Sequence, residues 1–156
     1  MTAVRIIFEL VLLFAAQIAL VDLVVIGGYR PDIILIYMIF RCKLVTGYQF
    51  VLLGFLIGLT QDLLGGGFIG LNAMSKTLAA FILAKVFAEE IPHGKLKFYL
   101  GVTACILVHD FTYNYVFGQN EYMGFFPFLF RRVLPTSFYN LALVMLIGLI
   151  PGKKRR

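Results

Sequence analysis

Residues 54–78 read GFLIGLTQDLLGGGFIGLNAMSKTL, and the pattern of this stretch decides the class of fold. It holds two helical arms on either side of a triple glycine. In the first arm, Gly54, Gly58, Gln61 and Asp62 fall within roughly one third of a helix circumference at about 100° per residue. In the second, Asn72, Ser75, Lys76, Ala79 and Ala80 follow one helical stripe. Each arm therefore sets small and polar residues on a single face of otherwise apolar sequence. In lipid such a face must meet protein or water. Gly65, Gly66 and Gly67 supply the reversal between the arms, because glycine alone takes positive φ freely. The pair Gly54/Gly58 reads as a helix-packing contact, and Gly66/Gly70 as turn geometry.

The composition agrees with a lipid environment. The 156 residues, a length suited to one domain spanning 1–156, are 61% apolar and only 14% charged, with a mean hydropathy of +0.92. A soluble domain is about 45–50% apolar and about 25% charged. The reading is an integral membrane protein, all-α, built as a polytopic bundle of six transmembrane helices. Cys42 and Cys105 stand in different segments with no metal-site spacing, so neither a disulfide framework nor a zinc site is expected. The apolar run after Arg5 has no small-residue cleavage site and reads as a retained first span.

The six spans run from about Ile6 to Ile26, Pro31 to Val45, Tyr48 to Leu64, Phe68 to Ala88, Leu96 to Phe117 and Val133 to Ile150. Pro31 suits the first position of the second helix. That second span is short, and a tilted or re-entrant helix is the alternative. The aromatic connection from Gly118 to Arg132 suggests a segment at the interface. Basic residues set the orientation. Arg5, Arg41, Lys43, Lys85, Lys95, Lys97 and the tail Lys153, Lys154, Arg155 and Arg156 fall on one side; Arg30, Arg131 and Arg132 fall on the other. Both termini are therefore expected in the cytoplasm. The same topological bias accounts for the net charge of +6, and no nucleic-acid partner is expected.

Polar residues are unevenly spread over this topology. Asp22, Gln61, Asp62, Asn72, Ser75, Lys76, His109, Asp110, Asn114, Thr136, Ser137 and Asn140 fall in the outer half of their spans or near its floor. Glu9 lies at the inner edge and Gln17 near the middle. A central charge costs about 2.5–3.5 kcal/mol on insertion scales unless paired or wetted. Together these residues suggest a polar pocket open to the outside, with Asp62, Asn72, Lys76, Asp110 and Asn114 as its candidate binding or partner-contact residues. Gln61, Thr136, Ser137 and Asn140 read as interhelical hydrogen-bonding groups. His109 and Asp110 are consecutive, so their side chains diverge by about 100° and read as separate groups rather than an acid–base pair. For Lys76, about 12 Å deep, Asp110 at about 10 Å is the expected partner, with Asp62 at about 3 Å the alternative. No catalytic or cofactor-binding motif is visible.

Several ordered pieces carry a resemblance. Arg30-Pro31-Asp32 precedes an apolar span. Gly54-Phe55-x-x-Gly58-Leu59-x-x-Asp62 is followed by Gly70-Leu71-x-Ala73-x-x-Lys76-Thr77, then Arg132-Val133-Leu134-Pro135-Thr136 with Tyr139-Asn140. In this order, and across nearly the whole chain, they resemble the rod shape-determining protein MreD family. The resemblance implies a non-enzymatic component of the cell-elongation machinery (elongasome) in the bacterial cytoplasmic (inner) membrane. It implies binding to an MreC partner and, through it, to MreB and the wall synthases RodA and PBP2, which make peptidoglycan. It also implies a fold similar to the substrate-binding S components of vitamin transporters, so a solute-binding transporter subunit is the alternative function.

Overall fold

The short run Ile33–Arg41 is apolar almost all round, and a helix of that kind belongs inside protein. In the computed structural model of the chain it is the buried centre. Residues 2–41, 47–65, 68–88, 95–117 and 124–149 are described. They form six helices: α1 (Thr2–Ala19), α2 (Ile33–Arg41), α3 (Gly47–Gly65), α4 (Leu71–Ala88), α5 (Lys95–Phe117) and α6 (Phe125–Leu149). The fold is all-α.

Ile34, Leu35, Ile36, Met38 and Ile39 of α2 are buried, and α2 contacts α1, α4 and α6. Its nine described residues reach only about 14 Å, half of a ~30 Å hydrocarbon core. Lys43 and Val45, placed at the inner end of the second span by sequence, lie outside the described residues. The core around α2 takes Phe50 from α3, Ala79, Ala80 and Leu83 from α4, Val102, Cys105 and Ile106 from α5, and Val144 from α6. Below it, Glu9 of α1 accepts from Tyr37 (2.9 Å) and pairs with Arg41, tying α1 to α2.

Among the described helices α3 and α4 pack against each other most extensively, and glycine makes their close approach possible. A Cβ at Gly58 would lie 2.6 Å from the Ala73 Cα and closer still to the Asn72 carbonyl oxygen. At Gly54 it would lie 2.7 Å from the Ala80 Cβ and 2.9 Å from the Lys76 carbonyl oxygen. The facing surfaces are backbone and alanine, which cannot swing aside.

Several boundaries differ from the sequence reading. The first helix ends at Ala19, and a 3-10 turn (Val21–Val24) follows in place of a continuous span to Ile26. A two-residue hairpin then closes, with Ile26 bridged to Tyr29 and Gly27 and Gly28 at φ 61° and 86°. Positive φ at both central positions is what such a turn demands. Asp32, not Pro31, sets the start of α2: its Oδ1 accepts from the Leu35 amide at 2.9 Å, an N-cap bond. In the α3–α4 reversal, positive φ falls on Gly70 (99°), while Gly66 and Gly67 lie outside the described residues.

The last helix starts at Phe125 rather than Val133 and contains a π turn at Leu129–Val133. Pro135 explains the irregularity. It has no N–H to give the Arg131 carbonyl one turn back, and its ring crowds that carbonyl. The carbonyl turns outward and accepts from the Tyr29 hydroxyl at 2.8 Å. The segment placed at the interface by sequence is therefore, from Phe125 on, the first part of α6. Its earlier residues, 118–123, lie outside the described residues.

Large apolar side chains cover the outside. Phe8 and Leu12 on α1, Phe55 and Leu63 on α3, Phe81 on α4, and Phe138, Leu146 and Leu149 on α6 are all exposed. Gly47–Gly65 and Phe125–Leu149 are long and apolar enough to cross a membrane by length and composition.

Candidate functional site: a buried polar network beneath a cavity

Lys76 is fully buried. It is one helical turn past Asn72 on the stripe of α4 that faces the bundle, and its Nζ donates to Asn72 Oδ1 at 3.1 Å. Its charge partner is Asp32 Oδ2 at 2.5 Å. This corrects the expectation that Asp110 or Asp62 pairs with Lys76. Depth counted along a span identifies the partner only where the spans start at the same level. The hairpin at residues 26–29 instead turns the chain back toward the bundle, so α2 starts among buried side chains. Gln17 marks the level: it donates to the Pro31 carbonyl (3.2 Å) and accepts from the Ile33 amide (2.9 Å). Asp32 is thereby set opposite the Lys76 turn of α4.

Asp62 has a different task. Its Oδ1 accepts from the Asn72 amide and the Asn72 Nδ2, both at 2.9 Å; its Oδ2 accepts from the Gly70 amide (2.8 Å) and the Ala73 amide (3.1 Å). Four bonds fill the lone pairs of a carboxylate. They satisfy the N-terminus of α4, where the helix dipole also favours negative charge. Asp62 thus clamps the α3–α4 hairpin, which explains why an acidic residue ends the small-residue stripe.

Asp110 and His109 are brought together. His109 Nδ1 lies 2.9 Å from Asp110 Oδ1 and donates to it, since a carboxylate only accepts. The sequence reading had them diverge; rotation about each side chain's own bonds closes the gap that the helix opens. Asn140 Nδ2 donates to both Asp110 oxygens (3.3 and 3.1 Å), and its Oδ1 accepts from the Asp32 amide at 3.0 Å. Asn140 is therefore a bridge between α6, α5 and the start of α2, as an interhelical hydrogen-bonding group should be. Asn114 donates within α5 to the Asp110 carbonyl at 2.7 Å. His109 Nε2 sits 3.5 Å from Asp32 Oδ2 and has no hydrogen-bond partner among the described residues; the same holds for Gln61 Oε1 and Ser137 Oγ.

Above the network lies a cavity of about 850 Å³. Asp62, Asn72, Asp110 and Asn114 line it, with Asp32, His109, Tyr113 and Asn140 beside them. Lys76 does not; it lies behind Asp32. Arg30, Arg131 and Arg132 line the same cavity, and Arg30 pairs with Asp22 at 3.2 Å. The loop over it is held to α6 by Tyr29 and by Tyr139, whose hydroxyl donates to the Val24 carbonyl at 2.6 Å. Cys105 is away from this site, buried, with its thiol toward the Ala79 carbonyl. Cys42 lies outside the described residues. Among the described residues no cluster of three or more His, Cys, Asp or Glu is placed to hold a metal ion.

Sequence reasoning singled out the lysine and most of the polar wall but passed over Asp32 as a network member. The signal was available: an acidic residue at the N-cap position directly before an apolar helix.

An apolar exterior around a centre of buried charges and amides reverses the usual distribution in water. Fold and site together define an all-helical membrane protein with an enclosed polar core. The sequence model of the family described as rod shape-determining protein MreD matches residues 2–151, and the chain belongs to that family of bacterial membrane proteins. No curated protein and no solved structure matches the chain.

Proposed function

We propose that the chain is a non-enzymatic scaffold of the cell-elongation machinery in the bacterial inner membrane. It binds an MreC-like partner and, through it, engages MreB, RodA and PBP2 to organise peptidoglycan synthesis and maintain rod shape. The family match over residues 2–151 carries this reading. The structure is consistent with it: the buried charges hold helices to one another, and Asp62, Asp32 and Asp110 are each occupied by protein groups.

The proposed topology has six spans with both termini in the cytoplasm and a bundle like that of the S components. The lengths support it. At 1.5 Å per residue, the 18 residues of α1 and of α4 reach about 27 Å and the 23 of α5 about 35 Å. The shorter α2 is enclosed by other helices, which relieves it of meeting lipid along its length.

Affinity purification of the tagged chain from native membranes tests the function. An MreC-like protein should co-purify, and deletion in a rod-shaped host should give rounded cells. Normal shape combined with loss of uptake of a solute would replace this reading by the second one, a solute-binding transporter subunit, which the 850 Å³ cavity favours.

A further inference from the structure

The cavity has an uneven distribution of satisfied and unsatisfied groups. Its acidic residues are all engaged by the protein. Asp62 is filled by the start of α4, Asp32 by Lys76 and the Leu35 amide, Asp110 by His109 and Asn140, and Asp22 by Arg30. At the rim, Arg131 has no acidic partner among the described residues. Deeper in, His109 Nε2, on a side chain only 3% exposed and 3.5 Å from Asp32 Oδ2, and Gln61 Oε1 line the wall with no hydrogen-bond partner among the described residues. Leu64 and Phe68, 54% and 60% exposed, carry an apolar surface from the rim outward.

We infer that the cavity binds a phosphate-bearing, hydroxylated headgroup. The phosphate sits on Arg131, whose planar guanidinium fork matches its oxygens, and the hydroxylated part reaches inward to His109 Nε2 and Gln61 Oε1. Two hydroxyls serve the two atoms: one donates to the Gln61 amide oxygen, and the other donates to His109 Nε2, the acceptor of a neutral ring whose Nδ1–H is given to Asp110. Phosphate is the anion that a membrane surface itself presents. A lipid would lay its chains against Leu64 and Phe68; a free phosphate ester would use the same polar contacts without them. The inference does not depend on MreC binding, and each can fail alone.

The test uses the purified full chain in a neutral maltoside detergent. Unfolding temperature is measured against phosphatidylglycerol, sn-glycerol 1-phosphate and, as the phosphate-free control, diacylglycerol. Phosphatidylglycerol should raise it and diacylglycerol should not. A rise with glycerol phosphate as well assigns the site to soluble esters; a rise with the lipid alone assigns it to the bilayer. R131Q should weaken binding about tenfold or more, consistent with loss of a charge-assisted bidentate contact. Gly65→Leu is the second variant: a Cβ there meets nothing within 4 Å, so the side chain extends into the cavity without strain and should block the ligand. Both variants should unfold at the wild-type temperature without ligand, and if the arginine variant does not fold, Gly65→Leu carries the test. No rise with either phosphate compound, an equal rise with diacylglycerol, or binding unchanged in the folded variants overturns the inference.

Discussion

Replacing Lys76 by methionine is the most informative single change to the network. Methionine keeps the length and apolar stem but removes the 2.5 Å contact to Asp32 and the 3.1 Å bond to Asn72. Asp32, with a side chain only 13% exposed, is then left with the Leu35 amide and with His109 Nε2 at 3.5 Å from its Oδ2. Stranding one member of a buried pair typically costs about 3–5 kcal/mol. Adding Asp32→Asn removes the stranded charge, yet asparagine can still cap α2, since the two residues are about equal as N-caps. The double variant should therefore recover a large part of the loss. Adding Asp110→Asn instead should recover nothing, because that carboxylate bonds His109 and Asn140 rather than Lys76. Denaturant unfolding in detergent, run as a double-mutant cycle, gives the coupling directly. If K76M/D32N is as unstable as the sum of its singles, or if D110N rescues as well as D32N, the assignment of the pair is wrong.

Three further outcomes are expected. Gly58→Ala should lower stability by about 1–3 kcal/mol, and Gly58→Leu should abolish folded yield on gel filtration, because the new carbons meet α4 backbone; unchanged yield would mean that the helices do not pack face to face there. Asp62→Ala should cost more than about 2 kcal/mol in the same unfolding assay, since four bonds to a charged acceptor are lost and three backbone amides are uncapped; a loss under about half that would show that water replaces the carboxylate. A reporter active only outside the cytoplasm should stay silent when fused after Arg156, and a signal there would reverse the proposed orientation.

Much of this architecture was legible along the chain because its cause is local. An apolar composition, and a stripe of small and polar residues recurring at helical spacing from Gly54 to Ala80, are properties of residues within a turn or two of each other. They define the helices, their packing faces and the list of buried polar groups. The identity of partners was not local. Lys76 and Asp32 are joined across 44 positions, and Asn140 reaches Asp32 across 108. The sequence places Lys76 in a helix but leaves the level of Asp32 open, because a start residue reads the same whether its loop stays outside or dips inward. Only the tertiary structure decides that, through the hairpin at Gly27 and Gly28, the hold of Gln17 on Pro31 and Ile33, and the Arg131 carbonyl that Pro135 leaves open for Tyr29. The sequence by itself determined that a charged lysine must be buried within a helical membrane protein. Which carboxylate answers it depended on how far a nine-residue helix sinks among its neighbours.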